Sequence, residues 1–540
     1  MKADLLIKSR AVFSGAADAP FPGYVAVKGN RIAAVGRGEE GARELIGAGT
    51  ELIDAGERLV MPGFHDSHVH LLMAGLYRRH VNLIAARSEE EAARMTAEAA
   101  EKDPDKEGFV IGFGWYHVFW DVKRLPRKES LDRYFKDRPV LLVNAEAHGV
   151  WVNGKALALA GITRDTKDPF GGRIERDESG EATGFLYEGA SGLVTRHALS
   201  FSPEREAEIL RAFMEGAAAY GITSVNDVMP YFHGNMGSVP AYGALDARGG
   251  LSVRIHAAPN LLGDLDEVLA WQKKHSSDKL RVNTVKQFLD GVSTTHTALV
   301  LEDYADAPGD RGDALFNLEK IKKAVAEAHR RDLSVKLHSC GDASLRLALD
   351  YYENAIKLHG RNGTRHAIEH CEMVSERDMP RFGALGVIPS VQPEHLALTQ
   401  RFAENPYLVT LGKERADKTW PLKSLLASAG VLAIGSDCPV VDSNPFLEIY
   451  RAVTRLHNDG EPAGGWNPTQ KLTLAEILKC YTWGSAYGVR RENEIGTLAP
   501  GYFADIVILD GNPFTADVSA LIEGKVDITV MDGKVIHARG

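Results

Sequence analysis

Apolar and polar residues alternate at both ends of the chain. MKADLLIKSRAVFSG steps from apolar to charged as a half-buried strand does, and YVAVKGNRIAAVG sets two such runs on either side of Gly29-Asn30, a hairpin turn. The last 40 residues repeat the pattern, with ADIVILD followed by DITVMDGKVIHARG and Asp532-Gly533 at the turn. A small β-domain assembled from residues 1–62 and 488–540 is the economical expectation, with a β-sandwich as its form.

Between the termini the period changes. Apolar runs of strand length, at 61–68, 223–228, 253–258, 283–289, 333–338, 365–370, 386–391 and 431–436, alternate with amphipathic stretches such as Leu318 to Arg331 and Ser344 to Leu358. Ser202-Pro203 followed by Glu204 and Glu206 reads as an N-cap, a proline at the first helical position and an acidic first turn. Eight strand and helix units predict an α/β fold, a (β/α)8 TIM barrel over 63–487. The stretch 83–199 is left over. It carries VLLVNAEAHGVWVN and a hairpin around Ser179-Gly180, and is assigned to an insertion after the first barrel strand. The alternative makes 140–147 a ninth barrel strand and reorders the candidate ligands.

A chain of 540 residues, 44% hydrophobic and 25% charged, has room for one large domain and a smaller one. Its net charge of -10 and the lack of a basic stripe argue against a nucleic-acid partner and favour a small-molecule substrate. No run approaches ~18 uninterrupted apolar residues and the N-terminus lacks a signal-type apolar core, so no membrane partner and a cytoplasmic location are expected. Cys340, Cys371, Cys438 and Cys480 form no CxxC pair, in keeping with a reducing compartment.

Candidate chemistry gathers at the ends of the apolar runs. In PGFHDSHVH, His68 and His70 stand two apart at a strand end and project from one side, the geometry of a chelating pair. LSVKLHSCGD ends a run at His338, HAIEHCE at His370 and LAIGSDCPV at Asp437, while NTVKQFLDG supplies Lys286. In a barrel these ends share one face, so several strands deliver ligand-type residues to one place. A lysine carboxylated by CO2 would be an anionic oxygen donor. Blander readings stand beside these: buried hydrogen-bonded histidines, a Lys286–Asp290 ion pair, Asp437 as a helix N-cap, and Cys340 as a small buried residue rather than a sulfur ligand.

The segments PGFHDSHVHLLMAG, VKQFLDG, HSCGDASLRLALD, HAIEHCE, SVQPEH, AIGSDCPV, QKLTLAEILKCYT and IGTLAPGYFADIVILD together resemble the amidohydrolase superfamily (amidohydrolase family 3), within it the branch of YtcJ-like proteins and N-substituted formamide deformylase. The resemblance spans nearly the whole chain. It implies that His68, His70 and Asp437 hold one divalent metal, that His338 and His370 hold a second, and that Lys286 bridges them as a carbamate. Where the family has a bulky residue after that aspartate, this chain has Cys438, which bears on pocket shape.

The implied activity is hydrolysis of a non-peptide carbon–nitrogen bond, in an amide, N-acyl or N-formyl compound, by metal-activated hydroxide. Asp437 would carry the proton from water to the departing amine. Zinc is the default among one or two ions, with manganese, iron or cobalt also suited to the donors. An esterase or lactonase on the same site, and a catalytically silent ligand-binding barrel, are the rivals. Family habit suggests a homodimer. In the insertion, Trp115, His117, His148 and Glu188 are candidate substrate contacts, the alternative being that its aromatic residues form the insertion's own core.

Overall fold

The computed structural model describes residues 1–103, 106–145, 149–169, 171–228 and 239–540. The chain divides into two compact units, one comprising Met1–His70, Met214–Met229 and Gly243–Gly540, the other Leu71–Phe213 and Pro230–Tyr242.

In the first unit, strands from both ends of the chain pair in one eight-stranded sheet, ordered Lys534–Ala538, Val526–Met531, Ile506–Leu509, Leu59–Pro62, Leu5–Val12, Phe21–Lys28 and Arg31–Arg37, with Glu51–Asp54 also on Leu5–Val12. Both expected hairpins are present. At the C-terminal one, Asp532 and Gly533 adopt φ of 55° and 75°, the left-handed pair that closes a tight hairpin with the twist of its strands. Leu5, Ile7, Val25, Val27, Val60, Ile506, Ile508 and Val530 fuse the two ends into one apolar cluster.

The expected strand at 61–68 is two strands. Leu59–Pro62 belongs to the terminal sheet, and after Gly63 the chain enters Phe64–Val69, the first of the parallel strands. Phe64–Val69, Ile222–Val228, Arg254–Ala258 and Leu280–Val282 form a four-stranded parallel sheet. Thr284–Phe288, Ser334–Ser339, Ala367–His370, Ile388–Val391 and Ala433–Ile434 form a five-stranded one. Every described residue of Phe64–Val69, Ile222–Val228, Arg254–Ala258 and Thr284–Phe288 is buried, as strands covered on both faces require. Helices Leu265–Lys274, Leu318–Arg330, Asp342–His359 and Leu422–Ala429 separate the strands. Their ends are locally specified: Asp264 and Asn317 accept first-turn N–H groups, and Gly430 closes its helix in the left-handed region.

The two parallel sheets are joined by single parallel bridges, Asn260 with Lys286 and Val69 with Cys438. All the expected barrel strands exist, but among the described residues their ladders do not close into one continuous ring.

The second unit has its own six-stranded sheet, ordered Gly172–Arg176, Ala182–Glu188, Gly149–Val152, Val140–Asn144, Val110–Trp115 and Val81–Asn82. Val140–Asn144 therefore lies outside the parallel sheets, which removes the reading of 140–147 as a barrel strand. The unit also takes in the helices Leu71–Arg79 and the first part of Pro203–Ala219, so it is wider than 83–199. The latter helix begins at Pro203, as expected, with Ser202 Oγ accepting from Arg205 N at 3.3 Å. Among the described residues no helix is long and apolar enough to cross a membrane.

Candidate metal centre

The parallel strands of the first unit bring five side chains together. His68 lies on Phe64–Val69, with His70 just beyond it; His338 lies on Ser334–Ser339, His370 ends Ala367–His370, and Asp437 follows Ala433–Ile434. Asp437 Oδ1 stands 3.3 Å from Nε2 of both His68 and His70, and its Oδ2 is 4.0 Å from His370 Nδ1. The His338 and His370 rings meet edge to face with centroids 4.2 Å apart. His370 and Asp437 hold φ of 73° and 62°, left-handed conformations that non-glycine residues adopt at a cost and that cluster where function demands a particular aim.

The electrostatics follow from burial. Burial alone would raise the Asp437 carboxyl, but the His68 charge and hydrogen bonds from His68 and His70 outweigh it and hold the group well below the usual range. Lys286 is wholly buried, its Nζ has no hydrogen-bond partner, and burial pushes its pKa down to about 8 against the pull of Glu369 and Asp437. A Lys286–Asp290 ion pair is not what forms. Asp290 instead accepts from Leu299 N at 2.9 Å, Gly341 N at 3.0 Å, Cys340 N at 3.2 Å and Ser344 Oγ at 2.6 Å, which fixes the loop after His338. Nor does Asp437 cap a helix: Asn444 caps the next one, Pro445–Thr454. Cys340 does stand near the cluster, its Sγ 3.4 Å from His338 Nε2.

Several contributors escaped sequence reasoning. Glu369 Oε2 lies 2.5 Å from His68 Nδ1, and Lys336 Nζ lies 3.0 Å from Oε1 while donating to Ser67 O at 2.7 Å. A carboxylate on the far nitrogen of a ligating histidine fixes its tautomer and aim. Burial opposes the ionised form of Glu369, yet the Lys336 charge and the His68 contact hold the carboxyl well below its usual range. Glu372 accepts from Tyr407 OH at 2.6 Å, and burial pushes its pKa up to about 7. His395, in the 3-10 turn Pro393–Ala397, brings Nε2 to 3.8 Å from Asp437 Oδ2. The only sequence signal for it was the segment SVQPEH, whose proline starts that turn.

Among the described residues, three groups of donors lie close enough to hold a metal ion: His68, His370 and Asp437; His338, Cys340 and His370; and His370, Glu372 and His395. The fit to a cation is supported by the buried nitrogens that lack hydrogen bonds, both on the His370 ring and Nε2 of His395. Imidazole with carboxylate suits a divalent metal.

The proposed substrate contacts fall in the second unit. Trp115 is fully buried in that unit's core with Trp120, Trp151 and Phe185, and its indole N–H donates to Leu142 O at 3.0 Å. Its ring is packed against neighbours of its own unit, the arrangement expected of the alternative in which the aromatic residues form the insertion's own core. His117 is half-buried in a 3-10 turn next to it. Glu188 is half-buried at the end of Ala182–Glu188 with φ of 43°. His148 lies outside the described residues.

Comparison with known proteins decides the family. The profile of the amidohydrolase family matches residues 51–537. This chain belongs to the amidohydrolase family. It is 32% identical to Protein LONG AFTER FAR-RED 3 of Arabidopsis thaliana over 99% of this chain and 92% of that one. It is 30% identical to the putative amidohydrolase YtcJ of Bacillus subtilis over 91% of each, and 26% identical to N-substituted formamide deformylase of Arthrobacter pascens over 95% of each. An uncharacterized metal-dependent hydrolase from Pyrococcus horikoshii, 24% identical, superposes with a TM-score of 0.78 over 95% of this chain and 99% of that one. The amidohydrolase branch read from the motifs is thus the right one, and with it come a TIM-barrel-like α/β fold and a hydrolase with a site suited to a divalent metal.

Proposed function

We propose that this amidohydrolase cleaves a carbon–nitrogen bond other than a peptide bond in a small molecule, with linear N-acyl and N-formyl amides as its first substrates. The observation that carries the reading is the convergence of His68, His70 and His370 on the Asp437 carboxylate. The deformylase activity named for the Arthrobacter relative supports the choice of bond. In this reading His68, His70 and Asp437 would hold one zinc ion and His338 and His370 a second. Lys286, buried and without a hydrogen-bond partner at Nζ, would serve both as a carbamate, an anionic oxygen donor. The two parallel sheets act as one barrel, with the terminal sheet folded as a sandwich beside it.

A divalent cation bound there supplies Lewis acidity, lowering the pKa of water toward ~7 and polarising a carbonyl. The chain supplies the proton traffic. Asp437 stays ionised at neutral pH, so its free carboxylate oxygen accepts the proton of the attacking water and returns it to the leaving amine nitrogen. Glu369 holds His68 by Nδ1 and thereby keeps Nε2 turned toward Asp437. Paired amide and ester analogues, offered to the wild type and to Asp437→Asn, test the reading. Amide turnover lost in the variant supports it, whereas turnover of esters alone overturns the choice of bond and turnover of neither favours a silent binding protein.

A further inference from the structure

His370 belongs to every candidate donor group among the described residues, yet an imidazole has only two nitrogens. The group formed with Glu372 and His395 has no role in the proposed reaction. Its three donor atoms lie within 4.8 Å of one another. Ligands at Zn–N distances of 2.0–2.1 Å sit roughly 3.3 Å apart in a tetrahedron and about 4 Å apart across an octahedron, so a small inward movement completes the set. All three residues are buried, at 3%, 2% and 6% exposure for His370, Glu372 and His395. His395 Nε2 and both His370 nitrogens lack hydrogen bonds, an uncommon condition for nine-tenths-buried polar atoms. Glu372 is held in place on two sides, by Tyr407 OH donating to Oε2 at 2.6 Å and by a side-chain hydrogen bond with Cys340, which an arriving cation would displace. The aim is built into the backbone as well: His370 and Cys371 adopt φ of 73° and 49° in succession, which turns the chain so that Glu372 returns beside His370.

We infer that Glu372 and His395, with His370 as a shared third ligand, form an auxiliary divalent-cation position next to the centre organised by Asp437. It rests on the metal-dependent reading above. The donor set, two imidazoles and a carboxylate, selects zinc, manganese, iron or cobalt over calcium or magnesium. Because His370 can engage at most two groups at once, an ion here competes with one of the other two.

The test is metal binding rather than turnover. Apo-protein prepared by chelator dialysis is titrated with Co2+ and Zn2+, with d–d absorption and metal content per chain as readouts, for the wild type, His395→Asn, Glu372→Gln, Tyr407→Phe and Asp437→Ala. Loss of one ion, or a 10- to 100-fold weaker site, in His395→Asn and Glu372→Gln, with a smaller weakening in Tyr407→Phe and retention of the ion sensitive to Asp437→Ala, is the expected result. Tyr407→Phe removes one hydroxyl and settles the matter should the other two variants fail to fold. Metal content and Co2+ spectra unchanged from wild type in the folded variants would overturn the auxiliary position alone. A wild type that binds no metal would overturn the hydrolase mechanism with it.

Discussion

Two regions of the chain looked functional for different reasons, the histidine-rich strand ends of the first unit and the tryptophan-rich insertion, and the structure treats them differently. At the strand ends, buried polar groups are brought together without being satisfied: His370 and Lys286 keep nitrogens with no hydrogen bond, and Asp437 sits in left-handed backbone. In the insertion, the aromatic residues pack on one another, and Trp120 Nε1 is the one indole of the cluster with no hydrogen-bond partner. Trp115, Trp120 and Trp151 pack mutually, and the indoles of Trp115 and Trp151 find carbonyls at 3.0 Å. Clustering of conspicuous residues does not distinguish a site from a core. Several unmet ligand-type groups converging within 4.8 Å, as at His370, do, whereas Trp120 Nε1 is unmet by itself.

The contrast can be broken at several strengths. Asp437→Asn should lower kcat/KM by about three orders of magnitude or more while leaving the thermal midpoint near wild type, because it removes a proton carrier rather than packing. Steady-state kinetics beside a melting curve check both halves. Trp115→Ala should do the reverse, destabilising the protein by about 3–5 kcal/mol through the cavity it leaves. Denaturant unfolding measures that loss, and unchanged metal content in the folded fraction keeps Trp115 on the packing side.

Glu369→Gln sharpens the comparison at the edge of the site. The expected outcome is a 10- to 100-fold loss of metal affinity, since the amide no longer holds His68 as a charged acceptor; chelator competition reads it directly.

The smallest effect is a pH dependence. His65 and His366 are buried, and burial pushes their pKa values down to about 3. Below pH ~6.5 the unfolded chain takes up protons that these folded imidazoles refuse, so stability falls as pH drops from there toward 3. Each contributes about 1–2 kcal/mol by pH 4 after allowance for relaxation. Melting temperatures between pH 7 and 4 should slope less steeply in His366→Gln than in the wild type.

Much of this was legible in the sequence because strand periodicity and residue type act locally. The apolar runs marked the parallel strands of the first unit except the short Leu280–Val282, and the ligand-type residues at their ends needed only a shared face to become a site. What stayed hidden depends on the path of the chain beyond the strands. Glu372 is useful only because His370 and Cys371 turn left-handed, and His395 only because Pro393 starts a tight turn; no periodicity signals either. Glu369 and Lys336 read as two more charges in apolar runs, and their value appears only as a pair across neighbouring strands, 3.0 Å apart. The break at Gly63 has no polar residue to mark it, since Leu59 to Pro62 on one side meets Phe64 on the other.

The central claim is that unmet polar demand at the strand ends is demand for metal. Plasma emission on protein purified without chelator, wild type beside His370→Ala, tests it most directly, since His370 belongs to every donor group among the described residues. About two ions per chain in the wild type, as a two-metal hydrolase requires, and a large loss in the variant is the expected result. A wild type free of metal after expression in metal-supplemented medium would contradict it.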